Sequence, residues 1–75
     1  MVWADVLAAH YQVYKKETIN CEDETEREFL IDLIQPKLPE YTREQVDMAL
    51  GYGCRNMKWN LAEILESIET NIGEV

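Results

Sequence analysis

Apolar and ring-bearing residues recur at helical spacing near the start of the chain, from Val2 to about Lys16. They are Val2, Trp3, Val6, Leu7, His10, Val13 and Tyr14. Steps of three and four place them on one face of a helix. Lys15 and Lys16 fall in the predicted last turn, where cations favour the negative end of the helix dipole. The pattern therefore predicts a first helix from Val2 to about Lys16.

A second apolar stripe follows a cluster of charge. Residues 22–28 carry five carboxylates and Arg27, and the stripe is Phe29, Leu30, Leu33 and Ile34. Acidic side chains are favoured beside the unpaired N–H groups of a first helical turn, so this cluster predicts a solvated helix start. Asp23 and Arg27, four residues apart, are expected to pair. Pro36 should end the helix near Gln35 and open an extended connection, with Leu38 against the core.

Two capping signatures mark the remaining helices. Thr42 with Gln45, and later Asn60 with Glu63, have the spacing at which each residue satisfies a backbone N–H of the first turn. The third helix ends near Gly51 or Gly53, or runs to about Asn56; both outcomes stay open. If it runs on, one face carries Val46, Ala49, Leu50, Gly53, Cys54 and Met57. The fourth stripe is Leu61, Ile64, Leu65, Ile68 and Ile72, with Gly73 as the C-cap glycine.

These stripes predict an all-α protein, a compact bundle of three to four short helices. The 75 residues contain no visible repeat and no Gly/Ser-rich linker, so residues 1–75 are expected to form a single helical domain. A chain of this length removes only about 60% of its unfolded surface from water. Its stability is therefore expected to be small.

Composition then restricts the partners. Fifteen acidic residues against seven basic ones give a net charge of −8, which repels nucleic acids and anionic membranes and favours a basic protein partner. No apolar run approaches the length of a membrane span, and no export signal is evident. Cys21 and Cys54 lack paired spacing, so a cytoplasmic protein with reduced cysteines is expected; one disulfide between them remains possible.

The residues that could carry chemistry are few. His10 is the only histidine, and its place on an apolar stripe predicts a packed residue with one satisfied ring nitrogen. The acidic cluster lacks the glycine that a calcium loop requires, so neither a metal nor a cofactor is expected. Cys21 or Cys54 with His10 is the one arrangement that could form a nucleophile and base. The chain is therefore expected not to be an enzyme.

Charge spacing supplies the leading functional hypothesis. The second and fourth predicted helices carry rows of carboxylates, and the third and its following loop carry aromatic and methionine side chains that the core need not absorb. Together they form the expected partner-binding set: Glu24, Glu28, Asp32, Glu63, Glu66, Glu69, Met48, Tyr52 and Trp59. If the two rows form one outer wall without neighbouring cations, they would dock a basic protein, as an inhibitor or adaptor that can imitate nucleic-acid phosphates. An exposed Met48 and Tyr52 could also form a homodimer seam.

A second hypothesis rests on motif order. From about Glu28 to Ile68, the chain resembles the ubiquitin-binding three-helix domains of the CUE and UBA type. Leu38-Pro39 stands where CUE domains carry Phe-Pro, and Ile64-Leu65 stands where they carry a Leu-Leu pair. This resemblance implies a ubiquitin- or peptide-binding module that uses those four residues. Salt separates the hypotheses, because only binding through carboxylates should weaken strongly as ionic strength rises.

Overall fold

A computed structural model of the chain describes residues 3–56 and 60–72. Four α-helices follow one another in these ranges: α1 (Ala4–Tyr14), α2 (Glu24–Ile34), α3 (Arg43–Asn56) and α4 (Leu61–Asn71). A 3-10 turn (Gln35–Lys37) follows α2, and the β-pairing in the described ranges is one isolated bridge between Thr18 and Asn60. The predicted all-α bundle is confirmed.

One hydrophobic core joins the four helices. It contains most of the residues of the predicted stripes, and its buried members are Trp3, Val6, Ile19, Leu30, Ile31, Ile34, Val46, Ala49, Leu50, Cys54, Leu61, Ile64, Leu65, Ile68 and Ile72. All five residues of the predicted α4 stripe are buried. Leu38 packs against this core, as predicted, whereas Val13 is 58% exposed and does not belong to it.

Helix α1 is shorter than predicted at its C-terminal end. Lys15 adopts a left-handed conformation with φ of 58°, and its N–H donates to the carbonyl of Tyr11 at 2.7 Å. This residue therefore caps the helix, and the prediction that Lys15 and Lys16 occupy the last turn is wrong. Residue Val2, the predicted start, lies outside the described residues.

The connection between α2 and α3 is a turn where an extended segment was predicted. Helix α2 ends at Ile34, close to the predicted Gln35, and the chain continues as the 3-10 turn that contains Pro36. Proline is tolerated in the first turn of such a helix because its missing N–H is not needed there. The chain therefore turns tightly enough to set α3 alongside α2.

The first predicted capping signature forms in full, and the second forms only in its Asn60 half. Thr42 and Gln45 satisfy each other: the Thr42 N–H donates to the Gln45 side chain at 2.9 Å, and the Gln45 N–H donates to the Thr42 hydroxyl at 3.1 Å. Asn60 caps α4 by accepting from the Glu63 N–H at 3.2 Å. The predicted C-cap at Gly73 lies outside the described residues.

Glycines Gly51 and Gly53 lie inside α3, which settles the open question in favour of the longer helix. A Cβ built at Gly53 would lie 2.8 Å from the side chain of Ile64, whereas one built at Gly51 would meet only an Arg55 nitrogen, at 3.8 Å. Gly53 therefore lets α3 approach α4 closely, because any side chain there would collide with Ile64.

The two cysteines form a disulfide. Cys21, in the segment before α2, is bonded to Cys54 near the end of α3. The expectation of reduced cysteines is therefore wrong, and the alternative left open from sequence is the one observed. The fold brings the two residues together although they lie 33 positions apart in the sequence. Their closeness in space could not be predicted from that spacing. In the chain-entropy account, a loop of this size stabilises the folded state by about 3 to 4 kcal/mol.

Candidate functional site

The acidic cluster at residues 22–28 begins a helix, as predicted. Asp23 is the N-cap of α2, and its carboxylate accepts hydrogen bonds from the N–H groups of Thr25 (3.0 Å) and Glu26 (3.2 Å). The Asp23–Arg27 pair that the spacing allows does not form, since Oδ1 of Asp23 accepts the two capping N–H groups and Arg27 has other partners. Arg27 instead donates to the Cys21 carbonyl at 2.9 Å and to Asp47 at 3.4 Å.

One member of this cluster is not solvated. Glu26 is 1% exposed, and its Oε2 lies 2.7 Å from Nε2 of His10, which is equally buried. Its Oε1 accepts from Nζ of Lys16 and from the N–H of Asn20, both at 3.3 Å. A buried carboxylate requires such partners, since without them the desolvation of its charge would be very unfavourable. The polar centre formed by Glu26, His10 and Lys16 therefore joins α1, the following loop and α2.

His10 is a packed residue with one satisfied ring nitrogen, as predicted. Its Nδ1 is buried without a hydrogen-bond partner, while its ring stacks on Tyr14, which in turn meets the edge of Phe29. The partner of His10, Glu26, was not predicted from the sequence. A signal was present, because Glu26 lies four residues before Leu30 and eight before Ile34, on the buried face of α2.

Two of the three carboxylates in the α2 row share one cation. Arg43, in the first turn of α3, reaches across to Asp32 (2.6 Å) and Glu28 (2.7 Å). The hydrogen bond to Asp32, and to a smaller extent the one to Glu28, raises the pKa of Arg43 above its usual value. The expectation that this row lacks neighbouring cations is therefore wrong for Glu28 and Asp32. Sequence reasoning missed the contact because it depends on how the 3-10 turn sets α3 beside α2.

The row on α4 is different. Glu63, Glu66 and Glu69 are exposed, and within residues 3–56 and 60–72 none of them forms an ion pair with a cation. The first and last of these positions are separated by about 9 Å along the helix axis. They occupy the side of α4 that is not buried, since Leu61, Ile64, Leu65 and Ile68 face the core.

The expected wall of uncompensated carboxylates across both rows does not form, because Arg43 pairs with Glu28 and Asp32 of the α2 row. Helix α3 packs against both α2 and α4, whereas α2 and α4 have no comparable packing against each other. Arg43 also lies over the outer face of α2. Of the carboxylates in the two rows, those that are exposed and form no ion pair within the described ranges are Glu63, Glu66 and Glu69, which we call the α4 acidic face, and Glu24 at the start of α2.

The apolar candidates lie partly on the surface. Met48 is 56% exposed and Tyr52 is 40% exposed on α3, as predicted, while Trp59 lies outside the described residues. The residues of the ubiquitin-binding alternative are less accessible. Ile64 and Leu65 are fully buried, so this pair does not offer an apolar surface to a partner, whereas Leu38 is half-buried against the core and Pro39 is exposed.

Two grooves border the polar centre. One, of about 490 Å³, lies between α1 and the start of α4 and is lined by residues that include Tyr11, Lys16 and Leu61. The other, of about 400 Å³, runs beside the disulfide between Lys16 and Arg55. No group of three or more His, Cys, Asp or Glu side chains in the described ranges is arranged to hold a metal ion. With both thiols in the disulfide, neither cysteine is a free nucleophile here.

Comparisons with known proteins complete the description. The chain matches no protein-family model, no curated protein sequence and no solved structure. Within the described part of the chain, no helix is both long and apolar enough to cross a membrane.

Proposed function

We propose that this chain is a non-enzymatic interaction protein whose α4 acidic face binds a basic surface of another protein. The observation that carries the proposal is the exposure of Glu63, Glu66 and Glu69 without an ion pair in the described residues. Carboxylates already paired with arginine, such as Glu28 and Asp32, have less to gain from a new cation. The α4 acidic face therefore replaces the shared wall as the proposed docking surface.

Its mode of action follows from electrostatics. A row of like charges on a rigid helix accelerates the encounter with a basic partner and disfavours acidic ones. Its effect on the association rate and on specificity is larger than its effect on affinity. An inhibitor or adaptor needs this selectivity, and a row of carboxylates can compete with nucleic-acid phosphates for the same basic surface. Nucleic acids and anionic membranes themselves are proposed not to bind, because the net charge of −8 repels them.

An apolar anchor accompanies the charge. Exposed aromatic and methionine side chains commonly supply the affinity that rim charges lack. Met48 and Tyr52 are the described candidates for this role, and Trp59 stays a candidate from sequence. A homodimer seam at Met48 and Tyr52 remains the alternative use of the same patch.

The site of binding can be mapped with a defined probe. A ten-residue oligolysine peptide is titrated into the isotope-labelled protein, and backbone amide shifts are followed at low and at physiological salt. We expect the largest shifts along Leu61–Asn71, and weaker binding at the higher ionic strength, where the Debye length is about 8 Å. Shifts concentrated on α2 instead, or binding that ignores salt, would count against the proposal.

A cytoplasmic location is also proposed, although the reduced cysteines expected for it are joined in a disulfide. Persistent disulfides are typical of oxidising compartments, and cytosolic ones are usually transient or redox-sensing. The Cys21–Cys54 bond therefore makes the redox state of these residues in cells the direct test of location. Rapid trapping of thiols in living cells, followed by mass spectrometry, should find a reduced fraction if the protein is cytoplasmic.

A further inference from the structure

The two ends of the disulfide differ in accessibility. Cys54 is 6% exposed and belongs to the core, whereas Cys21 is half-buried in the turn before α2. An attacking thiolate can bond to a disulfide only at a sulfur that it can reach. Cys21 is therefore the end at which exchange would begin, with Cys54 as the leaving sulfur.

The groove beside the disulfide has the opposite charge from most of the surface. Lys16 and Arg55 line it together with both cysteines, and Glu22 is its one acidic member. Lys16 is shared with buried Glu26, but Arg55 is exposed and forms no ion pair within the described ranges. Neighbouring cations favour a thiolate over a thiol, and they attract a reagent that carries carboxylates.

The segment that carries Cys21 is held in place without the disulfide. Ile19 is buried, the Asn20 N–H donates to Glu26, and the Cys21 carbonyl accepts from Arg27 at 2.9 Å. The preceding residues are tied to α4, where the Leu61 N–H donates to the Glu17 carbonyl at 3.2 Å. Opening the bond would therefore leave the two sulfurs near each other, so that they could join again.

We propose that the Cys21–Cys54 disulfide is a reversible thiol–disulfide exchange site for small anionic thiols such as glutathione. The thiolate attacks Sγ of Cys21 and forms a new S–S bond there. The Cys21–Cys54 bond breaks, and its electron pair leaves with Cys54 as a thiolate that takes a proton from water. Attack by Cys54 on the mixed disulfide releases the small thiol again, while attack by a second small thiol yields two protein thiols and the oxidised dimer of the reagent.

The first experiment identifies the reactive end. Cys54→Ser and Cys21→Ser variants are each treated with oxidised glutathione, and adducts are followed by intact mass spectrometry. Because Cys54 is buried, we expect the Cys54→Ser variant, which keeps Cys21, to form its adduct at least about tenfold faster. Equal rates, or faster reaction at Cys54, would overturn the assignment.

The second experiment tests the charge of the groove and uses proteins that keep the disulfide. Opening rates are measured with reduced glutathione, whose attacking thiolate also carries carboxylates, and with 2-mercaptoethanol, whose thiolate carries none. Arg55→Gln should lower the ratio of the two rates by up to about fivefold at low salt, since it removes one cation beside the reacting sulfur. Lys15→Gln, a cation outside the groove, should leave the ratio unchanged. A ratio that is the same in wild type and Arg55→Gln, or that falls equally in both variants, would refute the role of Arg55.

Discussion

Glu26 is buried, although the other glutamates of the acidic cluster are exposed. It lies in a stretch of five carboxylates that otherwise begins a helix in solvent, yet it is buried against His10 and Lys16. The local sequence reveals the helix start because capping depends on residues three apart. The partners of Glu26 lie 16 and 10 positions away, and only the packing of α1 on α2 brings them together.

Replacing Glu26 should therefore be far more damaging than replacing its exposed neighbour. We expect Glu26→Ala to lower the free energy of unfolding by roughly 3 to 5 kcal/mol, because the buried His10 loses the carboxylate that it pairs with and the partly exposed Lys16 loses its ion pair. Glu24→Ala, in the same turn, should change it by less than about 0.5 kcal/mol. Urea unfolding followed by circular dichroism measures both, and Glu26→Gln serves if the alanine variant does not fold. Similar small losses for both positions would show that the polar centre does not stabilise the fold.

The exposed pair of Asp5 and Lys37 gives a pH prediction. Nζ of Lys37 donates to Oδ2 of Asp5 at 2.8 Å, and this hydrogen bond holds the pKa of Asp5 below its usual 3.8. A depressed carboxyl pKa adds stability above the unfolded value and loses that contribution as the pH falls through the folded pKa. Lys37→Gln should therefore raise the pKa of Asp5 towards 3.8 in an NMR titration. No change in that variant, or an equal change in Lys15→Gln, would contradict the pairing.

At the scale of elements, local signals carried much of the prediction. The two N-terminal caps, the buried stripe of α4 and the end of α2 depend on residues within one or two turns, and the sequence displays them directly. The C-terminal end of α3 could not be predicted from such local signals. A glycine favours a helix end only when no neighbouring element holds it, and Gly53 is held by its contact with Ile64 on α4.

The two glycines of α3 form a matched pair for testing that contact. Gly53→Ala should destabilise the protein by about 1 to 3 kcal/mol, because its Cβ would lie 2.8 Å from Ile64. Gly51→Ala should be neutral or stabilising by up to about 1 kcal/mol, since alanine favours the helix and meets no backbone or core atom there. Thermal and urea unfolding would measure both variants. The account of α3–α4 packing would be wrong if the two substitutions had the same effect.

In the whole molecule, ion pairs between helices determine which carboxylates are free, whereas the composition gives only the net charge. The net charge of −8 predicts an acidic surface but does not say which carboxylates are free. Arg43 pairs with two of them on the outer face of α2, and Glu26 is buried in the interior. These contacts join residues far apart in sequence, so the free acidic surface could not be read from the spacing of the glutamates.

Binding through the α4 acidic face can be tested by comparing two triple variants with equal net charge. Glu63, Glu66 and Glu69 are changed to Gln in one, and the exposed Glu22, Glu40 and Glu44 are changed to Gln in the other. Affinity for the oligolysine peptide is then measured at low salt by isothermal titration calorimetry. We predict about tenfold weaker binding for the α4 variant and little change for its control, since each exposed ion pair contributes up to about 1 kcal/mol. Equal losses in the two variants would mean that the peptide responds only to net charge, and the α4 acidic face would not be a docking surface.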